Sequence, residues 1–222
     1  MSNAELKKQA VARAAIDYIE YDDIVGVGTG STVNYFIEYL KPLKNKISGA
    51  VASSLSTQKK LEENGIKVFN LNDVNDIPIY IDGADEVNLN FQLIKGGGGA
   101  LTREKIIAGA SAKFICIVDE SKIVDVLGKF PLPVEVLPMA RSFAAREIIK
   151  KQGMPVWREG FITDNDNIIL DIHHMDILEP IKMEKVLNQI PGVVTVGLFA
   201  ERGADIVLVS DAKTVKKLKI NK

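Results

Sequence analysis

The chain has 222 residues, 46% of them hydrophobic and 26% charged, with a formal net charge of −1. That length fits one large domain or two small ones, and the composition is ordinary for a globular protein. A nearly neutral chain offers no overall basic surface for nucleic acid, and it lacks the run of about 18 apolar residues that would span a membrane.

Residues 4–20 read as an amphipathic helix, with Leu6, Ala10, Ala14 and the stretch Ile16 to Ile19 on one side. Ile24 to Val27 is a short apolar strand, followed by a glycine loop and a helix over 31–40. Ile47 to Ala52 forms the next strand and ends at Ser53-Ser54; a helix over 56–64 leads to a strand at Lys67 to Phe69. Ile77 to Ile81 is another strand, 101–110 a helix, and Lys113 to Asp119 a strand holding the single cysteine, Cys116, as a small core residue. Strands alternating with helices imply a Rossmann-like, mostly parallel sheet with helices on both faces.

The rhythm changes near Phe130-Pro131-Leu132-Pro133, the expected domain boundary. Strand 132–137, helix 139–152, strands 154–159 and 167–173, helix 180–189 and strand 193–197 follow in the β-α-β-β-α-β order of a ferredoxin-like α+β domain. A last strand, 205–210, and a short helix return to the first domain. The expected division is therefore 1–130 with 201–222, and 131–200.

Three motifs carry chemistry. Gly26-Val27-Gly28-Thr29-Gly30-Ser31-Thr32 joins a strand to a helix, where glycines allow close approach of an anion and the helix start offers free N–H groups. Ser31 replaces the third glycine of a dinucleotide fingerprint, and no Gly-Lys-Ser/Thr follows, so neither that motif nor a Walker loop is present. Taken alone, the loop fits a phosphate cradle and a capped turn equally well. Asp82-Gly83-Ala84-Asp85-Glu86 lies at a strand end and suits Mg²⁺ binding, sugar-hydroxyl and proton handling, or a solvated turn. Lys95-Gly96-Gly97-Gly98-Gly99 is bracketed by apolar residues, which favours a backbone nest for an oxyanion over a flexible linker. Glu104 lies one turn into the next helix. A carboxylate base beside N–H groups and an ammonium is what proton transfer next to a carbonyl requires, and with the phosphate-type loop this points to a small phosphorylated sugar. His173 and His174, the only histidines, read as structural or surface groups.

These residues resemble the type A ribose-5-phosphate isomerases. The likeness runs through GVGTGST at 26–32, Ser53-Ser54, IDGADEVN at 81–88, IKGGGGALTREK at 94–105, KFICIVDESK at 113–122, GKFPLPVEVLPMAR at 128–141 and IPGVVTVGLFAERGAD at 190–205. The resemblance implies a larger α/β domain with a smaller ferredoxin-like one, and interconversion of ribose 5-phosphate and ribulose 5-phosphate through a cis-enediolate in the non-oxidative pentose phosphate pathway. It places the catalytic base at Glu104, ring opening and enediolate stabilisation at Asp82 and Lys95, and a substrate-hydroxyl contact at Asp85. Gly28, Thr29, Gly30, Ser31, Thr32 and Lys122 fall on phosphate contacts, joined by Lys8 or Lys7, and Gly96, Gly97 and Gly98 on the oxyanion nest. It implies a homodimer or tetramer, with neither metal nor cofactor and no nucleic-acid or membrane partner. An N-terminus without an apolar signal segment and a single cysteine make the cytoplasm the expected compartment. The competing readings are a related sugar-phosphate enzyme, such as an amino-sugar deaminase, and a non-catalytic sugar-phosphate sensor. A sensor has no need of the base, whereas Glu104, Asp82 and Lys95 are all present.

Overall fold

A computed structural model describes residues 2–211 and 213–218. In chain order the elements begin with α1 (Asn3–Ala15), β1 (Ile24–Val27), α2 (Ser31–Leu40), β2 (Gly49–Ala52), α3 (Leu55–Glu63) and β3 (Ile77–Asp82). They continue with β4 (Glu86–Val87), β5 (Leu93–Ile94), α4 (Leu101–Ala110), β6 (Ser111–Asp119), β7 (Leu132–Val136), α5 (Arg141–Ile149) and β8 (Met154–Trp157). The last are β9 (Ile168–His173), α6 (Pro180–Asn188), β10 (Val193–Val196), β11 (Leu198–Phe199), β12 (Ile206–Ser210) and β13 (Val215–Leu218). By contacts the chain divides into two compact units: Met1–Ala84, Arg103–Lys122 and Ala204–Lys222 in one, Asp85–Thr102 and Ile123–Gly203 in the other.

The first unit is a six-stranded sheet in the order β13-β12-β6-β3-β1-β2, parallel except for β13. Successive strand residues face opposite sides of the sheet. Val25, Val27, Ile79, Ile81, Ile115 and Ile117 therefore point one way, into a core with Val11 and Ala15 of α1 and Val33 and Phe36 of α2. Gly26, Tyr80, Phe114 and Cys116 point the other way, where Ile107 of α4 lies against Gly26. Tyr80 and Phe114 pack ring to ring at 5.0 Å. Helices thus cover both faces, and Cys116 is a fully buried strand residue, as expected.

Parallel pairing has a direct consequence for function. Val27 is level with Ile81 and Asp82 with Cys116, so the segments after β1, β3 and β6 leave the sheet at one edge. That carboxyl edge is where open α/β sheets bind ligands.

Three local expectations differ from the structure. Lys67 to Phe69 makes only a single parallel bridge, Val68 to Ala50, because the apolar run is too short to extend the ladder. The last short helix is instead β13, antiparallel to β12; the Asp211 carboxylate takes the N–H groups of Lys213 (3.0 Å) and Thr214 (2.9 Å) and so sets a hairpin turn. Residues 219–222 of that expected helix lie outside the described residues. The two-residue strands β4, β5 and β11 carry no periodic signal and were not expected.

The second unit holds a four-stranded antiparallel sheet, β10-β7-β9-β8, built from β7-α5-β8-β9-α6-β10, which is the ferredoxin-like arrangement. Its core gathers Leu132, Val134 and Val136 of β7 with Leu170 and Ile172 of β9, Ile148 of α5 and Leu187 of α6. A three-stranded sheet, β11-β5-β4, belongs to the same unit. Contacts thus group 85–102 and 123–130 with this unit, where the sequence reading put them in the first. The reason is local: β5 pairs with β11, and the Glu86 carboxylate accepts N–H groups from Gly128 (2.8 Å) and Phe130 (2.5 Å).

Glu135 of β7 is fully buried. Its carboxylate accepts from Thr163 Oγ1 (2.9 Å), Asn167 Nδ2 (2.8 Å), Asn165 Nδ2 (3.2 Å) and the Thr102 hydroxyl. A buried charge is tolerated only when hydrogen-bonded this fully. Replacing Glu135 with Leu strands those donors, and we expect a loss of at least about 2 kcal/mol of stability in urea denaturation, with Glu135→Gln losing less. An unchanged denaturation midpoint in Glu135→Leu would count against the network as a structural element.

Candidate active site

In the first unit the β1–α2 loop and the end of β3 are built around Asp82. The carboxylate is buried and accepts the N–H of Thr29 (3.1 Å), the N–H of Gly83 (2.7 Å) and the Tyr80 hydroxyl. Gly28 has to be glycine, because a Cβ there would sit 2.0 Å from Cγ of Asp82. The Thr29 hydroxyl lies 2.8 Å from both Ser53 Oγ and Ser54 Oγ, and Thr57 Oγ1 donates to the Gly28 carbonyl (2.7 Å). Ser54 also caps α3 by accepting from the N–H of Thr57 (3.0 Å). The paired serines at the end of β2 thus hold the loop from behind, where a dinucleotide site would present an acid to a ribose.

Gly30 caps α2 with φ +138°, a conformation that favours glycine, and leaves Ser31 exposed and Thr32 half-buried at the helix start. The first N–H groups of a helix have no partner within it and suit an anion. Lys8 Nζ donates to Ser31 Oγ (2.9 Å), whereas Lys7 Nζ is 2.7 Å from Glu120 Oε1. Of the two N-terminal lysines, Lys8 is therefore the one at this loop. Lys122 ends the 3₁₀ turn after β6, at the same edge of the sheet.

Glu104 lies in the first turn of α4 and is 3% exposed. Burial pushes the Tyr80 hydroxyl well above the usual tyrosine range, and the charges of Asp82 and Glu104 push it the same way. Tyr80 therefore keeps its proton and keeps donating it to Asp82. The charges of Asp82 and Glu104 thus both act on Tyr80 beneath the carboxyl edge.

In the second unit Lys95 follows β5 and is 2% exposed, with its N–H on the Gly197 carbonyl (2.9 Å) and its ammonium 5.6 Å from the centre of the Phe199 ring. The Gly97 N–H donates to Asp85 Oδ2 (2.8 Å). Cβ atoms at three of the glycines would collide: with Leu101 Cβ at 2.9 Å for Gly96, Asp85 Oδ1 at 2.7 Å for Gly97 and the Phe161 ring at 2.1 Å for Gly99. The run is an ordered loop packed on side chains. Gly97 and Gly98 are exposed, and Gly99 is buried under Phe161. Glu86, third acid of the 82–86 motif, serves backbone N–H groups and is structural. His173 ends β9 and His174 has φ 54°.

Sequence reasoning missed Tyr80, Arg158 and Asp171. Arg158 makes a bidentate pair with Asp171, Nε to Oδ2 at 2.8 Å and Nη2 to Oδ1 at 2.5 Å. These two are thirteen residues apart and meet only through the β8–β9 pairing, in which Val156 is opposite Asp171. For Tyr80 a signal existed: a tyrosine two residues before an acid on a strand shares its face.

The fold is α/β, with buried carboxylates gathered at the carboxyl edge of a parallel sheet. The family model of ribose 5-phosphate isomerase A (phosphoriboisomerase A) matches residues 49–214. The ribose 5 phosphate isomerase A of Neisseria gonorrhoeae is 43% identical, with a TM-score of 0.96 over 100% of this chain and 99% of that one. The Methanocaldococcus jannaschii ribose 5-phosphate isomerase is 39% identical, with a TM-score of 0.92 over 98% and 100%. A D-ribose-5-phosphate isomerase solved with phospho-erythronic acid is 41% identical, with a TM-score of 0.93 over 99% and 100%. The chain belongs to the ribose 5-phosphate isomerase A family.

The Tyr80–Asp82 contact makes a prediction about alkaline pH. The unfolded chain releases the tyrosine proton near pH ~10, whereas the folded protein retains it to higher pH. The stabilisation is complete below that pH and declines as pH climbs through the folded value. Urea midpoints at about pH 9 and about pH 11 should therefore fall more steeply for wild type than for Tyr80→Phe. Equal slopes would remove Tyr80 from this role.

Proposed function

We infer that the protein interconverts ribose 5-phosphate and ribulose 5-phosphate. The observation that carries this is Glu104, a buried carboxylate in the first turn of α4, in the same unit as Asp82 and the β1–α2 loop, in a chain of this family.

In the proposed sequence, Asp82 assists opening of the furanose ring. Glu104 then takes the proton from C2 of the open aldose, and the electrons move onto the carbonyl to give a cis-enediolate. Lys95 and the N–H groups of Gly96 and Gly98 stabilise the oxyanion, and Asp85, itself held by the Gly97 N–H, takes a substrate hydroxyl. Glu104 returns the proton to C1 while a hydroxyl proton passes from O2 to O1, so the ketose forms with nothing gained or lost. The phosphate is held by Gly28 to Thr32, with Lys8 and Lys122 as cations, and its binding energy orients the reacting carbons. Asp82 and Asp85 act on hydroxyls and protons in this scheme, which needs neither metal nor cofactor. We further propose a homodimer acting in the cytoplasm, within the pentose phosphate pathway. Among the described residues no helix is long and apolar enough to cross a membrane.

Glu104→Gln keeps shape and removes the base. Its kcat should fall at least about 100-fold with little change in KM, and exchange of the C2 hydrogen with deuterated solvent should fall in step. Near-normal exchange would assign the base elsewhere.

Arabinose 5-phosphate keeps the phosphate and inverts C2, so it should bind competitively without turning over at the ribose rate. Its inhibition constant should rise about 10-fold or more in Lys8→Ala and in Lys122→Ala, as expected for losing a charge-assisted contact. Identical constants in wild type and both variants would show that the phosphate is held elsewhere.

A further inference from the structure

We propose that Arg158, oriented by Asp171, is a positioning residue for the isomerisation: it fixes the peptide planes of the glycine run so that the Gly97 N–H stays on Asp85 and the Gly98 N–H can serve the oxyanion. This rests on the functional reading above.

Arg158 directly follows β8, and its backbone N–H donates to the Ile169 carbonyl (2.9 Å). Asp171 takes the Nε and Nη2 donors in a fork, which fixes the guanidinium plane and directs Nη1 outward. Nη1 donates to the carbonyls of Gly96 and Gly97, each at 3.2 Å. The Phe161 ring lies 5.4 Å from the guanidinium carbon and occupies the space a Cβ at Gly99 would need. The Arg158 and Asp171 side chains are 19% and 18% exposed, so water competes poorly for them.

The C=O and N–H of one trans peptide point in opposite directions. The Gly96 carbonyl shares its peptide with the Gly97 N–H, and the Gly97 carbonyl shares its peptide with the Gly98 N–H. Holding both carbonyls on Arg158 therefore aims both N–H groups away from it. The first of these is seen on Asp85. The Gly96 carbonyl is also held by the Gly99 N–H (2.9 Å), but without Arg158 the Gly97–Gly98 peptide turns over at small cost, since glycine tolerates positive and negative φ alike. A cation at the carbonyl end also polarises each peptide and strengthens its N–H as a donor. An ion pair that merely joined β8 to β9 would not need Nη1 on the glycine carbonyls.

The test compares Arg158→Gln, Arg158→Lys and Asp171→Asn in the full chain, with thermal melts to establish folding. Phospho-erythronic acid carries a carboxylate where the enediolate oxygens develop, whereas arabinose 5-phosphate has no such charge. In Arg158→Gln we expect kcat to fall about 10- to 100-fold with KM within about 3-fold. The inhibition constant of phospho-erythronic acid should rise about 10-fold or more, and that of arabinose 5-phosphate less than about 3-fold. Arg158→Lys retains the charge without the fork and should fall between, with Asp171→Asn close to it. Added guanidinium should restore part of the kcat of Arg158→Ala. Parallel weakening of both inhibitors, or a lowered melting temperature with normal kcat, would overturn the proposal and leave the pair a strand staple. If Arg158→Gln does not fold, Arg158→Lys and Asp171→Asn decide by the same split. A wild-type protein without isomerase activity would overturn the functional reading and this inference together; an active wild type with indifferent variants overturns the inference alone.

Discussion

A carboxylate withdrawn from water has to be met by donors, and the first unit is organised around meeting that demand at Asp82. Two backbone N–H groups and the Tyr80 hydroxyl supply it. For the Thr29 N–H to arrive, the β1–α2 loop must pass over the end of β3 with no Cβ at position 28. The loop reaches that position because β1 and β3 are parallel neighbours in register, Val27 level with Ile81. The bend that brings Thr29 to Asp82 also presents the start of α2, with Ser31 and Lys8, to solvent. One satisfied buried charge thus ties the end of β3 to the β1–α2 loop.

The second unit meets the inverse requirement. There the groups proposed to act are donors, backbone N–H groups carried by a stretch of chain with almost no side chains. Steric contact does part of this: Leu101, Asp85 and Phe161 leave no room for Cβ atoms at Gly96, Gly97 and Gly99. Sterics alone select glycine without selecting a peptide orientation. Hydrogen bonds to both sides of the run, from Arg158 to its carbonyls and from its own N–H to Asp85, supply the orientation.

Much of the fold was legible because glycines and polar residues mark where its apolar segments start and stop. α2, α4 and β1 fall at the residues expected, and the βαββαβ order of the second unit follows from alternating apolar runs. Elements of two residues have no period, so β4, β5 and β11 escaped, and with them the grouping of 85–102 with the second unit. The turn at Asp211 made the C-terminal segment a strand where a short helix was expected. At the candidate site the motifs themselves were legible, since glycine runs and strand-end acids are rare combinations. The residues that hold them were not. Arg158 and Asp171 become partners only once β8 and β9 are paired, and nothing local marks either one.

Burial of an acid does not by itself mark a functional group in this protein. Glu86, Glu135 and Glu184 are all buried carboxylates, and each spends its lone pairs on the protein. Glu86 accepts the N–H groups of Gly128 and Phe130, Glu184 those of Ala200 and Glu201, and Glu135 accepts from Thr102, Thr163, Asn165 and Asn167. These are pins that fix loops where the backbone leaves a strand or helix. What separates Asp82 is its place at the carboxyl edge of a parallel sheet, next to the β1–α2 loop, with Glu104 close enough for their charges to act on the same tyrosine. Two buried acids that both disfavour ionising one tyrosine keep that tyrosine protonated, and so keep its hydroxyl a donor to Asp82.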